Sequence, residues 1–350
     1  MKKLPKLKKG DKVAIVSPSF AAPGEWPELY ELALNRVRDV FGFEPVEFPA
    51  TKKVGASKEE RIDDMVAAFG DTDIKAVIAS LGGNDQVTYI KKLPPKKFSD
   101  NPKPFFGFSD NSHFCNFLFL NGIPSFYGAS LVTQFTTQPE MDEFTVSYLK
   151  KALFEEGEFE LQSSAEFYDS NLSEGGELVD WYKPKTLGLK KKREQNTGWE
   201  WDGSINAEGL LWGGCIESVD EMLRHAVPIP SLEQFGGIVL MLESSEEMPT
   251  AEQVRRVVRA FGERGILEQV KGVLVGRPKA WYFDHQNSAE EQNKFRSDQQ
   301  VAILETVREY NTSIPVVQNL DFGHTDPQIP MPYGGKVRID SATKKIFATF

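Results

Sequence analysis

The chain is predicted to be α/β, with an N-terminal doubly wound, mostly parallel sheet domain and a second α/β or β-rich domain after it. Three observations predict this. Over residues 1–157, short apolar runs alternate with amphipathic ones, and repeated strand–helix alternation implies a parallel sheet covered by helices. From 158 to 206 the sequence turns polar and basic, and from 207 to 350 apolar runs resume. A length of 350 residues also exceeds the roughly 250–300 at which a single core stops growing.

The elements follow in order. "KVAIVSPS" (12–19) reads as a buried strand and "PELYELALNRVRDVFG" (27–42) as a helix. "SKEERIDDMVAAFGD" (57–71) opens on Ser57 and Glu60 at capping-box spacing, with Ile62, Met65, Val66 and Phe69 on one helical face. "IKAVIASLGG" (74–83) and "KPFFGFS" (103–109) are buried-strand candidates, the second running into a helix at "DNSHFCNFLFLNG". Residues 158–206 read as a linker carrying a long loop. Past it come strands at 237–243, 272–278 and 314–321, a helix at 250–270, a long charged helix, and a closing hairpin.

Composition excludes several functions. The net charge of −10 argues against a nucleic-acid polymer, which requires a basic face. No run of about 20 apolar residues exists, so no membrane span is expected. The basic start precedes an apolar run of only Val13 to Val16, too short for a secretory core. Cys115 and Cys215 form neither a disulfide framework nor a metal spacing. A cytoplasmic protein needing no metal and no organic cofactor is the expectation.

Chemistry concentrates at strand ends. In "FFGFSDNSHF" (105–114) Ser109 stands where a strand meets a helix, a place suited to a nucleophile because free N–H groups there favour negative charge. By itself the stretch suits a helix cap better. The segment lacks the G-x-S-x-G of α/β-hydrolases, since position 111 is Asn. Among four histidines, His113 lies further into the helix, His225 at a helix end, and His285 in a polar stretch. His324, in "NLDFGHTDPQIPMPYGG", follows a buried strand, where α/β folds keep their chemistry. Glu243 ends the strand "GIVLMLE", with Glu217 the competing acid, while Glu246 and Glu247 read as a solvated helix start. The glycine pair of "ASLGGNDQ" (79–86) is suited to presenting backbone N–H groups to an oxyanion.

Taken together, "GDKVAIVSPSF", "SLGGNDQ", "GFSDNS", "LWGGCIES", "VLMLESSEEMP" and "LDFGHTDPQIPMPYG" resemble the LD-carboxypeptidase family of serine peptidases, in particular its microcin C self-immunity branch. The blocks run in the family's order from about residue 10 to 340. The resemblance implies Ser109 as nucleophile, Glu243 as orienting acid and His324 as base. It implies an oxyanion hole from the N–H groups of Gly82, Gly83 and Asp110. It also implies a site in the cleft between two domains, and a homodimer.

Substrate is open between two readings. The loop "WYKPKTLGLKKKREQNTGWEW" carries Trp181, Trp199 and Trp201 and a Lys190–Arg193 run; these with Asn84 suit a nucleobase and a phosphate or sulfamate. The same tryptophans also suit packing against a domain. The first reading gives a small peptide or peptidyl- or aminoacyl-nucleotide substrate, as in self-immunity or detoxification. The alternative is a murein tetrapeptide, and a non-enzymatic alternative is a two-domain small-molecule-binding protein.

Overall fold

The computed structural model describes residues 1–179, 186 and 188–350. Five strands of the N-terminal half, β1 (Lys12–Val16), β2 (Glu44–Glu47), β3 (Ile74–Ala79), β4 (Phe105–Gly107) and β5 (Ser125–Tyr127), lie in the order β2-β1-β3-β4-β5. All their pairings are parallel. Residues on β1 alternate between two cores. Val13 and Ile15 face Leu29, Ala33 and Val37 of the helix Pro27–Phe41, and Ala14 and Val16 face Met65 and Phe69 of the helix Lys58–Gly70. That period of two is what a strand covered on both faces produces. The second helix begins with the expected box, Ser57 and Glu60 each accepting the other's backbone N–H.

The stretch 158–206 differs from a plain linker. It contributes β6 (Glu158–Leu161), the short pair β7 (Glu166–Phe167) and β8 (Glu194–Gln195), and β9 (Glu200–Asp202). β9 closes one sheet edge antiparallel to β13, and β6 pairs with the last strand. Partners from the far end of the chain make β6 and β9, and β7 pairs with β8 across 26 intervening residues of the segment itself, which is why local polarity concealed them.

The C-terminal half supplies β10 (Ala207–Cys215), β11 (Ile238–Glu243), β12 (Gly272–Gly276) and β13 (Val316–Leu320), parallel neighbours in that order. β14 (Met331–Tyr333) joins the halves, antiparallel to β5 and parallel to β10. β15 (Lys336–Asp340) and β16 (Lys345–Thr349) form the closing hairpin. The helix expected at 250–270 spans Ala251–Glu263, because Gly265 takes a left-handed φ of +72° and ends it. One apolar cluster runs from Val77 and Phe114 through Tyr127 and Trp212 to Leu240 and Val316, under both halves. No described helix is long and apolar enough to cross a membrane.

Candidate active site

The carboxyl ends of β1, β3, β4, β11 and β13 open toward one cleft of about 540 Å³, lined by Ser19, Gly82, Gly83, Ser109 and His324 among others. Ligands of open α/β sheets bind at these ends because the connecting loops there diverge from the sheet.

Ser109, two residues past β4, takes a left-handed conformation, φ +63°, which costs a non-glycine residue roughly 1–3 kcal/mol. A short 3₁₀ turn, Ser109–Asn111, then leads into the helix Ser112–Leu120. The turn is held from behind. The Ser109 N–H donates to the Tyr127 hydroxyl at 3.1 Å, and Ser112 Oγ donates to the Ser109 carbonyl at 2.7 Å. Glycine is required opposite, since a Cβ on Gly82 would stand 2.8 Å from the Ser109 Cβ. The side chain of Ser109 therefore points into the cleft rather than capping the helix.

Glu243 and His324 meet as the sequence suggests, Nδ1 of His324 lying 2.7 Å from Glu243 Oε2. The other carboxylate oxygen accepts from the Tyr127 hydroxyl at 2.5 Å. Burial and the Glu243 charge push the Tyr127 phenol well above its usual range, so it remains a donor. One tyrosine thus links the Ser109 backbone to the Glu243 carboxylate. Gly276 and Gly323 wall in that carboxylate, where added Cβ atoms would lie 2.8 Å from Glu243 Cβ and 2.5 Å from Oε2 respectively. Burial by itself depresses the His324 imidazolium, but Glu243, Glu246 and Glu217 outweigh it and lift His324 to about 9.

The glycine loop is braced by Asp110. Its buried carboxylate accepts from Ser19 Oγ and, at 3.1 Å each, from the N–H groups of Asp85 and Gln86. Burial raises its pKa, and His113 with these donors pulls it back. Asp85 is clamped by Arg61 through contacts of 2.7 and 2.6 Å. Gly82 and Gly83 thereby sit against Ser109 and Ser19, and the N–H groups of Gly83 and Asp110 have no hydrogen bond among the described residues. Two unsatisfied donors beside a serine are the raw material of an oxyanion hole.

Other expectations fare differently. Glu217 braces the turn after β11, accepting from the N–H and Oγ of Ser245 at 3.0 and 2.7 Å. Glu246 and Glu247 form a turn ahead of the helix rather than its start: both line the cleft, Glu246 reaches His324 Nε2 at 3.2 Å, and Glu247 is exposed. His113 is buried, 3.2 Å from Glu221. With Asp110 the two form, among the described residues, the one group whose side-chain atoms gather closely enough to suit a cation. Asn84 lines the cleft, and Trp181 lies outside the described residues.

Trp199 and Trp201 do not line the cleft. The Trp199 indole donates to Asp321 at 3.1 Å, Trp201 on β9 pairs with Val317 of β13, and both tryptophans pack on the core. Of the basic run, Lys191 reaches the cleft. Burial pulls its ammonium down to about 8, against the pull of Asp326.

Comparison with known proteins agrees along the whole chain. Residues 13–128 match the family model of the LD-carboxypeptidase N-terminal domain, and residues 208–339 that of the C-terminal domain. YocD, a putative carboxypeptidase of Bacillus subtilis, is 26% identical over 349 residues, 98% of each chain. The structure of an MccF-like protein from Streptococcus pneumoniae in complex with AMP is 26% identical. It superposes with a TM-score of 0.82 over 97% of this chain and 98% of that one. The microcin C7 self-immunity protein MccF, in complex with aspartyl sulfamoyl adenosine, shares the fold at 21% identity. Its TM-score is 0.82, over 99% of this chain and 98% of that one.

Proposed function

This chain belongs to the LD-carboxypeptidase family of serine-type peptidases, and on that premise we propose that Ser109, His324 and Glu243 hydrolyse an amide bond in a small peptidyl- or aminoacyl-nucleotide. The observation that carries the reading is that a strained Ser109 and a His324 whose Nδ1 is fixed by Glu243 line the same cleft. In the neutral ring, Nε2 takes the proton of Ser109 Oγ as that oxygen bonds to the acyl carbon. The N–H groups of Gly83 and Asp110 receive the oxyanion, each such donor contributing about 3 kcal/mol. His324 then protonates the leaving nitrogen, the C–N bond breaks, and an ester on Ser109 remains. Water, deprotonated by the same ring, releases the acid.

The nucleotide part of the reading is supported by the AMP held by the Streptococcus pneumoniae relative and by Lys191 in the cleft, a cation suited to a phosphate or sulfamate. Product analysis by mass spectrometry tests it, with an aminoacyl sulfamoyl-adenosine and a murein tetrapeptide offered together. Cleavage of the adenosine compound alone is expected. Release of D-alanine alone would make the protein a murein peptidase. The working form is proposed as a cytoplasmic homodimer, and light scattering that returns the 39.3 kDa of one chain would refute the dimer.

A further inference from the structure

Behind the turn that carries Ser109 lies a group of side chains that the proposed hydrolysis leaves unused. Asp110 and His113 stand at i and i+3, with side chains 1% and 0% exposed. Glu221 faces them from the helix Ile216–Arg224 of the C-terminal half, its Oε2 3.2 Å from His113 Nε2. The same nitrogen lies 3.7 Å from Asp110 Oδ1. All three atoms fall within 4.8 Å of one another.

The two oxygens of Asp110 are in unlike settings. Oδ2 is saturated, accepting from Ser19 Oγ and from the N–H groups of Asp85 and Gln86. Oδ1 is buried and accepts no hydrogen bond, and its neighbour is the imidazole. A buried carboxylate oxygen without a donor is costly. One oxygen held by donors while the other is left open is the arrangement of a carboxylate that binds a metal ion. Charge is unbalanced as well. Among the described residues no lysine or arginine pairs with Asp110 or Glu221, and each has His113 as its one ion-pair partner. Arg61 is taken by Asp85 and Arg224 by Asp220. A proton on the ring answers one of the two carboxylates, whereas a divalent cation answers both.

We propose that Asp110 Oδ1, His113 Nε2 and Glu221 hold a divalent transition-metal ion of the zinc class, behind the turn and apart from the reacting atoms. An imidazole ligand favours such ions over magnesium or calcium. Ligand atoms about 2.0–2.2 Å from a tetrahedral ion stand roughly 3.4 Å from one another, and the separations of 3.2 and 3.7 Å straddle that value. Glu221, the one partly exposed member, gives the ion a route in and an open fourth position for water. The ion is structural. It ties the turn that presents Ser109 and the Asp110 N–H to a helix of the other half, whatever the substrate.

The test strips the protein with EDTA and titrates it with Zn²⁺ by calorimetry. One ion per chain is expected, with a Kd on the order of 1 μM or tighter. Glu221→Gln and His113→Gln should each weaken binding at least about tenfold. A variant carrying His225→Ala, His285→Ala and His324→Ala keeps His113 as its one histidine and should bind as the wild type does. Saturating zinc should raise the wild-type Tm by about 3 °C or more and leave that of Glu221→Gln nearly unmoved. A plain His113–Glu221 ion pair predicts otherwise: Glu221→Gln would lose the same stability with zinc as in EDTA. That result would overturn the site. So would no uptake of zinc, uptake unchanged by Glu221→Gln, or loss of uptake in the folded triple variant.

Discussion

His324 shows how three carboxylates set one proton. Glu243 on Nδ1 and Glu246 on Nε2, with Glu217 behind them, lift it to about 9 against the opposing effect of burial. A general base works only when neutral, so the free enzyme is held mostly in the wrong protonation state at pH 7. We expect kcat/KM to climb with pH through about 9 and level off above it. Glu246→Gln removes one of the charges that hold the proton, and should move that limb to lower pH. A pH profile whose limb stays in place in the variant would contradict this account of His324.

At the scale of elements, loops at strand ends place the groups and small residues make room for them. The turn Asp321–His324 follows β13 and must pass over the Glu243 carboxylate. Gly323 permits that with φ +97° and no side chain. Gly323→Ala would set a Cβ 2.5 Å from Glu243 Oε2. A displacement of about 1 Å in a catalytic group costs on the order of 10²-fold, so kcat should fall by about that factor with Tm much less affected. Steady-state kinetics beside a thermal melt check it, and a variant with normal kcat would show that the contact is not tight.

This is also the scale at which the sequence was most legible. Ser109, Glu243 and His324 each end or follow an apolar run, a local pattern that needs no partner to be read. Glu246 was misread because its charge looks solvated until His324, from a distant loop, is placed against it. Trp201 reads as part of a loop because β9 exists only by pairing with β13, and Trp199 because its partner Asp321 lies far along the chain. Tyr127, inside a three-residue strand, carried no signal at all.

Across the whole molecule, the two halves share a sheet and a core, and buried ions tie the long middle segment to them. Arg277 and Asp321 are wholly buried and pair at 2.8 Å. Arg277 also lies over the Phe167 ring at 4.2 Å, and Asp321 accepts from Ser164 and Trp199. Removing one member of such a pair leaves a buried charge uncompensated and costs about 3–5 kcal/mol. Arg277→Met should lower the urea-unfolding free energy by about 3 kcal/mol, the low end because other donors still reach Asp321. Adding Asp321→Asn should restore part of it. An unchanged unfolding midpoint in Arg277→Met would mean that the pair does not tie the segment down.

The central claim is that Ser109 makes the bond to the acyl carbon. It is tested most directly by the rate at which Ser109→Ala hydrolyses an aminoacyl sulfamoyl-adenosine, compared with the wild type under single-turnover conditions. The account predicts a fall of roughly 10⁴-fold or more with binding retained. A variant within tenfold of the wild type would contradict it.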